Sequence, residues 1–117
     1  MNEASPIFLI DELIAHPGQG RALLAAYRER YVPGAIARGL TLQHELVAPP
    51  VWLHDQSNIL MFLWRIEGGA QGWWSARIAS GRDPEVEAWW RDATELIESR
   101  TRRFLAAAAA IERLIDV

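Results

Sequence analysis

Cysteine is absent from this chain, and so is lysine. Without cysteine there is no disulfide and no thiolate metal site. The absence does not decide compartment, because a cysteine-free chain is stable in either redox state. Without lysine, all twelve basic residues are arginine. With the high alanine content, that bias fits a GC-rich genome better than a physical need. It also removes the residue that a phosphate-binding loop requires. No apolar run approaches the roughly 18 residues of a membrane-spanning helix, so no membrane association is expected. A net charge of −3 leaves no strongly basic surface, which argues against nucleic acid. Met1 to Pro6 lack the basic region and long apolar core of a signal peptide, and a cytoplasmic protein is the expectation. The 117 residues fit a single domain, 1–117, with one core.

Tryptophan, by contrast, is abundant. Trp52, Trp64, Trp73, Trp74, Trp89 and Trp90 are more than a core of this size usually needs. Indoles line apolar ligand pockets and interfaces, and ordinary core packing is the competing reading. The stretch that organises the chain is 58–66, Asn-Ile-Leu-Met-Phe-Leu-Trp-Arg-Ile. From Ile59 to Trp64 no side chain is polar. A half-buried strand would alternate apolar and polar residues. This run is apolar on both faces, so it reads as a strand covered on both sides. The chain has helix enough for one sheet face, and the other calls for a second subunit.

In chain order, Ile7 to Ile14 reads as a strand interrupted by Asp11 and Glu12. Pro17-Gly18 makes a turn, and a helix follows over Gly18 to Tyr31 with Leu23, Tyr27 and Tyr31 on one stripe. Pro33-Gly34 interrupts it. Ala35 to Arg38 can add a turn, closed by Gly39 as a cap. Leu40 to Val47 is a second strand, with Leu42, His44 and Leu46 on one face. Pro49-Pro50 ends or bulges it, and Val51 to Leu53 can resume it. The polar turn 54–58 makes strands two and three an antiparallel hairpin. Gly68 to Gly72 is flexible, and Trp73 to Ala79 is a short helix. Asp83-Pro84-Glu85 starts another, with a stripe through Val86, Trp90, Ala93 and Ile97. Residues 100–105 fit strand or helix, and periodicity favours helix from Ala106 onward through Ile111 and Ile115. The order is that of an α+β sandwich, an antiparallel sheet with helices on one face and the other face bare and apolar.

That order resembles the ferredoxin-like, dimeric α+β barrel superfamily, and within it the NIPSNAP group. The likeness is carried by Asn58 to Trp64, by the Pro17-Gly18 turn, by Asp83-Pro84-Glu85-Val86 before a Trp, and by Ser99 to Leu105. It covers roughly residues 7–106. The group often has a histidine two residues before that strand's Trp, and this chain has Phe62 there. The resemblance implies a homodimer with its two sheets facing each other, and a final strand near 101–106. The wider superfamily includes cofactor-free monooxygenases, polyketide cyclases and small-molecule isomerases or dehydratases, alongside members without assigned activity. Fold alone does not choose among them.

The candidate chemistry is proton transfer without cofactor on an apolar or aromatic small molecule. The alternative is a non-catalytic dimer that binds a ligand or fills its pocket with tryptophan. His44, mid-strand between two leucines, is a candidate general base. Asp11 and Glu12 are adjacent in a strand and face opposite sides, so one points to the helices and the other to the dimer face. Either can assist as an acid or base, or form an ion pair with an arginine such as Arg65 or with the partner subunit. Trp64, Trp73, Trp74, Trp90, Tyr27, Tyr31 and Phe62 are candidate pocket residues; of the adjacent Trp73 and Trp74, at most one lines a pocket. Arg100, Arg102 and Arg103 read as a solvated face, with an anion site or intersubunit salt bridges as the alternatives. The three histidines show no metal-ligand spacing, and no metal is expected. No serine sits in a nucleophile-elbow context.

Overall fold

The computed structural model describes residues 5–112. Strand β1 (Ile7–Ala15) leads through a turn to helix α1 (Gly20–Ala26), a π-helical turn (Tyr27–Tyr31) and helix α2 (Val32–Ala37). Strands β2 (Leu40–Ala48) and β3 (Ile59–Ile66) follow, then helices α3 (Gly69–Gly81) and α4 (Pro84–Asp92), and strand β4 (Ile97–Ala106). The sheet order is β2-β3-β1-β4, antiparallel throughout. This βαββαβ order is the ferredoxin-like sandwich.

Burial alternates along β1 and β3 with the period of a strand. Leu9, Leu13, Leu60, Phe62, Trp64 and Ile66 are buried beneath the helices. Their neighbours Phe8, Ile10, Ile14, Ile59, Met61 and Leu63 occupy the opposite face, which no element among the described residues covers. The expectation of a strand apolar on both faces therefore holds, and so does the expectation of one bare apolar face.

The first helix does not stop at Pro33-Gly34. It runs on to Ala37, and Pro33 sits in the first turn of α2. A proline cannot supply the hydrogen bond that the carbonyl four residues back would take. The wider π turn just before it absorbs that mismatch. Gly39, at φ +101°, closes the helix as expected.

Three boundaries move. The glycines at 68–72 are not a loose linker: Gly68 is left-handed and α3 begins at Gly69. A Cβ at Gly72 would stand 1.8 Å from the carbonyl oxygen of Glu67, so only glycine fits there. The helix starting at Pro84 ends at Asp92, because β1 needs an outer partner and takes Ile97–Ala106. Its buried position is Trp89, Ala93 just after it is buried too, and Trp90 is only partly buried. Where helix was expected from Ala106, a 3₁₀ turn, Ala108–Ala110, comes first, and Ile111 and Glu112 are helical; Ile115 lies outside the described residues.

Residues 51–53 do not resume β2. The buried Asn58 organises this connection instead. Its carbonyl oxygen accepts from the Leu53 N–H at 3.0 Å and its amide donates to the Val51 carbonyl at 2.8 Å. Gly20 packs against it so closely that a Cβ there would meet the Asn58 side chain at 2.9 Å.

Candidate functional site

Asp11 is 1% exposed, on the helix face of β1 between Leu9 and Leu13. A carboxylate there is costly unless it is paired and hydrogen-bonded. Arg102 stands directly across from it on β4. Arg102 donates to it from Nε at 2.6 Å and from Nη2 at 2.9 Å. The Tyr27 hydroxyl donates to the same carboxylate at 2.8 Å, and the indole N–H of Trp64 donates to the Tyr27 oxygen at 2.8 Å. Arg102 Nη2 also donates to the Tyr31 oxygen at 2.7 Å. The result is a continuous buried chain: Trp64, Tyr27, Asp11, Arg102, Tyr31. Helix spacing explains the two tyrosines, since residues four apart share a face. Phe62 stacks on the Tyr27 ring with centroids 3.7 Å apart.

Burial pushes the Arg102 guanidinium toward losing its proton, but the hydrogen bonds and charge of Asp11, helped by Tyr31, outweigh it and hold its pKa above the ordinary arginine range. Arg102 therefore keeps its charge at every physiological pH.

The chain of polar groups ends at a cavity of about 250 Å³ between the sheet and α3. Leu9, Leu40, Ile66, Trp73, Ala76 and Phe104 form its apolar wall. Tyr31, Arg38, Arg77, Ser80 and Arg102 supply its polar groups. Arg38 is tied to Asp83 by one bond of 3.2 Å. The buried indole N–H of Trp73 has no acceptor among the described residues.

No family model and no curated protein matches the chain. Solved structures do match it. A NIPSNAP family protein from Agrobacterium tumefaciens str. C58 superposes with a TM-score of 0.67 at 18% identity, over 92% of this chain and 90% of the other. An uncharacterised NIPSNAP domain protein from Burkholderia xenovorans gives 0.64 at 17% identity, over 88% and 95%. A NIPSNAP family protein of unknown function from A. tumefaciens gives 0.68 at 13% identity, over 92% of each chain. The chain has the NIPSNAP fold. At such identities the likeness is one of fold, and the chemistry rests on this chain's own side chains.

Within that NIPSNAP fold the candidate residues separate. Tyr31 and Trp73 line the cavity. Tyr27, Phe62 and Trp64, expected as pocket residues, are fully buried in the core behind it. Trp90 is partly buried beneath Arg100, whose guanidinium lies 3.9 Å from its ring centre. Trp74 is 57% exposed on the outer side of α3, as divergence from Trp73 requires.

His44 does not share a face with Leu42. The β2–β3 register slips between Leu42 and His44, so that Leu42 opposes Trp64 while His44 opposes Leu63. One extra residue in a strand re-aims every side chain after it. His44 is thus exposed on the open sheet face, away from the cavity, and not covered by this chain as its leucine neighbours suggested. Glu12 is on that open face too, opposite Met61, and Asp11 takes the helix side. Asp11 pairs with Arg102, not Arg65, whose bonded partner is Glu67. The arginine cluster is correspondingly not one solvated face, because Arg102 turns inward. Arg38, Arg77 and Arg102 at the cavity were missed. Nothing in the sequence separates Arg102 from its neighbours Arg100 and Arg103, and only the fold brings it together with Arg38 and Arg77.

Burial raises the Tyr27 phenol well above the usual tyrosine range, and the charge of Asp11 adds to this. The folded state holds that proton more tightly than the unfolded chain, whose tyrosines titrate near about 10. Its contribution is therefore intact below about pH 10 and is lost as pH rises beyond it toward the folded pKa. Urea midpoints should be flat from about pH 7 to 9 and fall above about pH 10. Tyr27→Phe should be weaker at neutral pH by about 1.5–3 kcal/mol, as for a hydrogen bond to a charged group, with a shallower alkaline limb. Equal alkaline slopes in the two proteins would rule out Tyr27 as the source.

Proposed function

We propose that this chain is a small-molecule-binding homodimer with one ligand pocket per subunit, between helices and sheet. The observation that carries this is the cavity itself. Its wall is apolar, and a buried polar chain of Asp11, Arg102 and Tyr31 ends at its surface. An apolar pocket with a few convergent polar groups is how small-molecule sites are built. At about 250 Å³ it is just below the roughly 300–1,000 Å³ of drug-sized sites, which suits a single ring or a short chain. The dimer is supported by the uncovered apolar sheet face, of a size that monomers seldom expose.

A second reading, proton transfer without cofactor, is favoured by one detail. The Tyr31 oxygen accepts from Arg102, and its own proton has no acceptor among the described residues. Tyr31 would then be the proton donor to a bound ligand. His44 and Glu12, on the open face, would serve only a reaction between the two sheets, and Asp11 is engaged by Arg102. Binding is the stronger reading, because it needs nothing beyond the cavity.

Titration with a panel of single-ring aromatics, neutral and anionic, should quench part of the tryptophan emission. Trp73→Phe should remove that response and leave the remaining emission insensitive. An unchanged spectrum across the panel, with no heat of binding by calorimetry, would sink the pocket reading.

A further inference from the structure

We infer that the ligand of this cavity is a small carboxylate on an apolar body, its head held by Arg77 together with Arg38 and Arg102. The inference rests on the binding reading above and adds the chemical class of ligand.

The polar groups of the cavity are almost all donors. Arg38, Arg77 and Arg102 have no acceptor capacity, and the Trp73 indole is donor-only. The Tyr31 oxygen is already taken by Arg102, which leaves its proton to give. Among the described residues, no aspartate or glutamate lines the space. An apolar neutral ligand would cover the part-buried donors of Arg38, Arg102 and Trp73 without pairing them, which is costly, and a cation would be repelled by the three guanidinium groups. An acceptor-rich anion satisfies them.

The charges do not cancel. Asp11 neutralises Arg102 and Asp83 holds Arg38. Arg77 has no carboxylate within salt-bridge distance among the described residues; its guanidinium lies 5.1 Å from the centre of the Trp73 ring. One uncompensated positive charge therefore stands at the rim. Arg38 uses one of its five donors on Asp83, and Nη1 of Arg102 has no bond among the described residues. The planar fork of a guanidinium matches a carboxylate. The remainder of the wall, Leu9, Leu40, Ile66 and Phe104, offers nothing to a bare inorganic anion and suits an aromatic ring or alkyl chain. A doubly charged phosphate would meet that wall with oxygens it cannot satisfy.

The test uses phenylacetate and its neutral isostere phenylacetamide, titrated by calorimetry into the full-length protein at low salt. Phenylacetate should bind at least about tenfold more tightly than the amide, as expected for charge-assisted bonds. Arg77→Gln should weaken phenylacetate by about tenfold or more and leave the amide unchanged. Arg91→Gln, on an arginine exposed on α4, removes the same net charge and should leave both ligands unchanged. Equal affinities for acid and amide, or equal losses of both in Arg77→Gln, would overturn the carboxylate and leave the pocket standing. Displacement of phenylacetate by an equal concentration of inorganic phosphate would overturn the apolar body and leave a general anion site. Binding of neither phenylacetate nor the amide at millimolar concentration would overturn both this inference and the pocket reading.

Discussion

Asp11→Asn is expected to cost about 3–5 kcal/mol of folding stability, the usual result of breaking one side of a buried ion pair. The carboxylate now takes three donors, Nε and Nη2 of Arg102 and the Tyr27 hydroxyl, at 2.6 to 2.9 Å. The amide keeps the shape but removes the charge, and its NH₂ group would face donors it cannot pair with. Arg102 would be left charged and partly desolvated with no counter-ion. Against a domain stability of about 5–15 kcal/mol, that is a large fraction. Urea denaturation at one fixed protein concentration is the measurement, because association contributes to apparent stability. A second variant separates stability from charge. Asp11→Leu combined with Arg102→Met should recover most of the loss, since apolar replacement of a buried pair is often nearly neutral. It should not recover all of it, because the Tyr27 proton then lacks an acceptor. A midpoint for Asp11→Asn equivalent to less than about 1 kcal/mol would mean that water, not Arg102, satisfies this carboxylate.

The same pair shows what a sequence can and cannot reveal. That one of Asp11 and Glu12 had to face the helices followed from strand alternation alone. Which arginine would meet it did not, because that depends on a register between segments about 90 residues apart. The apolar run at Ile59 to Trp64 declared its own burial, and the Asp83-Pro84 start of α4 was legible because a cap is a local device; Asp83 accepts from the Glu85 N–H at 2.9 Å. The face of His44 was misread for the opposite reason. A bulge at Gln43 reverses the alternation, and nothing in Leu-Gln-His-Glu marks it. Helix propensity in the alanine run was real but was outweighed upstream, where pairing with β1 claims Ile97–Ala106 for the sheet. The candidate site is the least legible part, since Tyr31 and Arg77 come from two helical segments, Arg38 from the turn after α2 and Arg102 from a strand.

Leu63→Arg is expected to abolish the proposed dimer. Leu63 is central in the uncovered sheet face, with Ile10 beside it on β1 and His44 on β2. Four strands of this length present roughly 500 Å² of sheet surface, taking about 4.8 Å between strands and about 3.3 Å per residue; Glu12, His44, Arg65 and Arg103 share that face, and the apolar residues fill its middle. A patch larger than a few hundred Å² signals an interface. If a second copy covers it through a two-fold axis, each substitution enters the interface twice. Burying an unpaired guanidinium at both copies should cost several kcal/mol in total, enough to weaken association by at least about a thousandfold. Sedimentation equilibrium at micromolar concentration should then show wild type at twice the mass of one chain, and the variant as monomer or as unfolded chain. Ile36→Arg provides the control. Ile36 is 55% exposed on α2, on the helix side, and its replacement should leave the dimer intact. Solvent exposure of the sheet face can be read independently by hydrogen exchange. The amides of β1 and β3 are internal to the sheet, but those of the edge strands β2 and β4 should exchange faster once the second copy is gone. A wild-type chain that sediments as a stable monomer would refute the dimer, and with it any role for His44 and Glu12 in a space between two sheets.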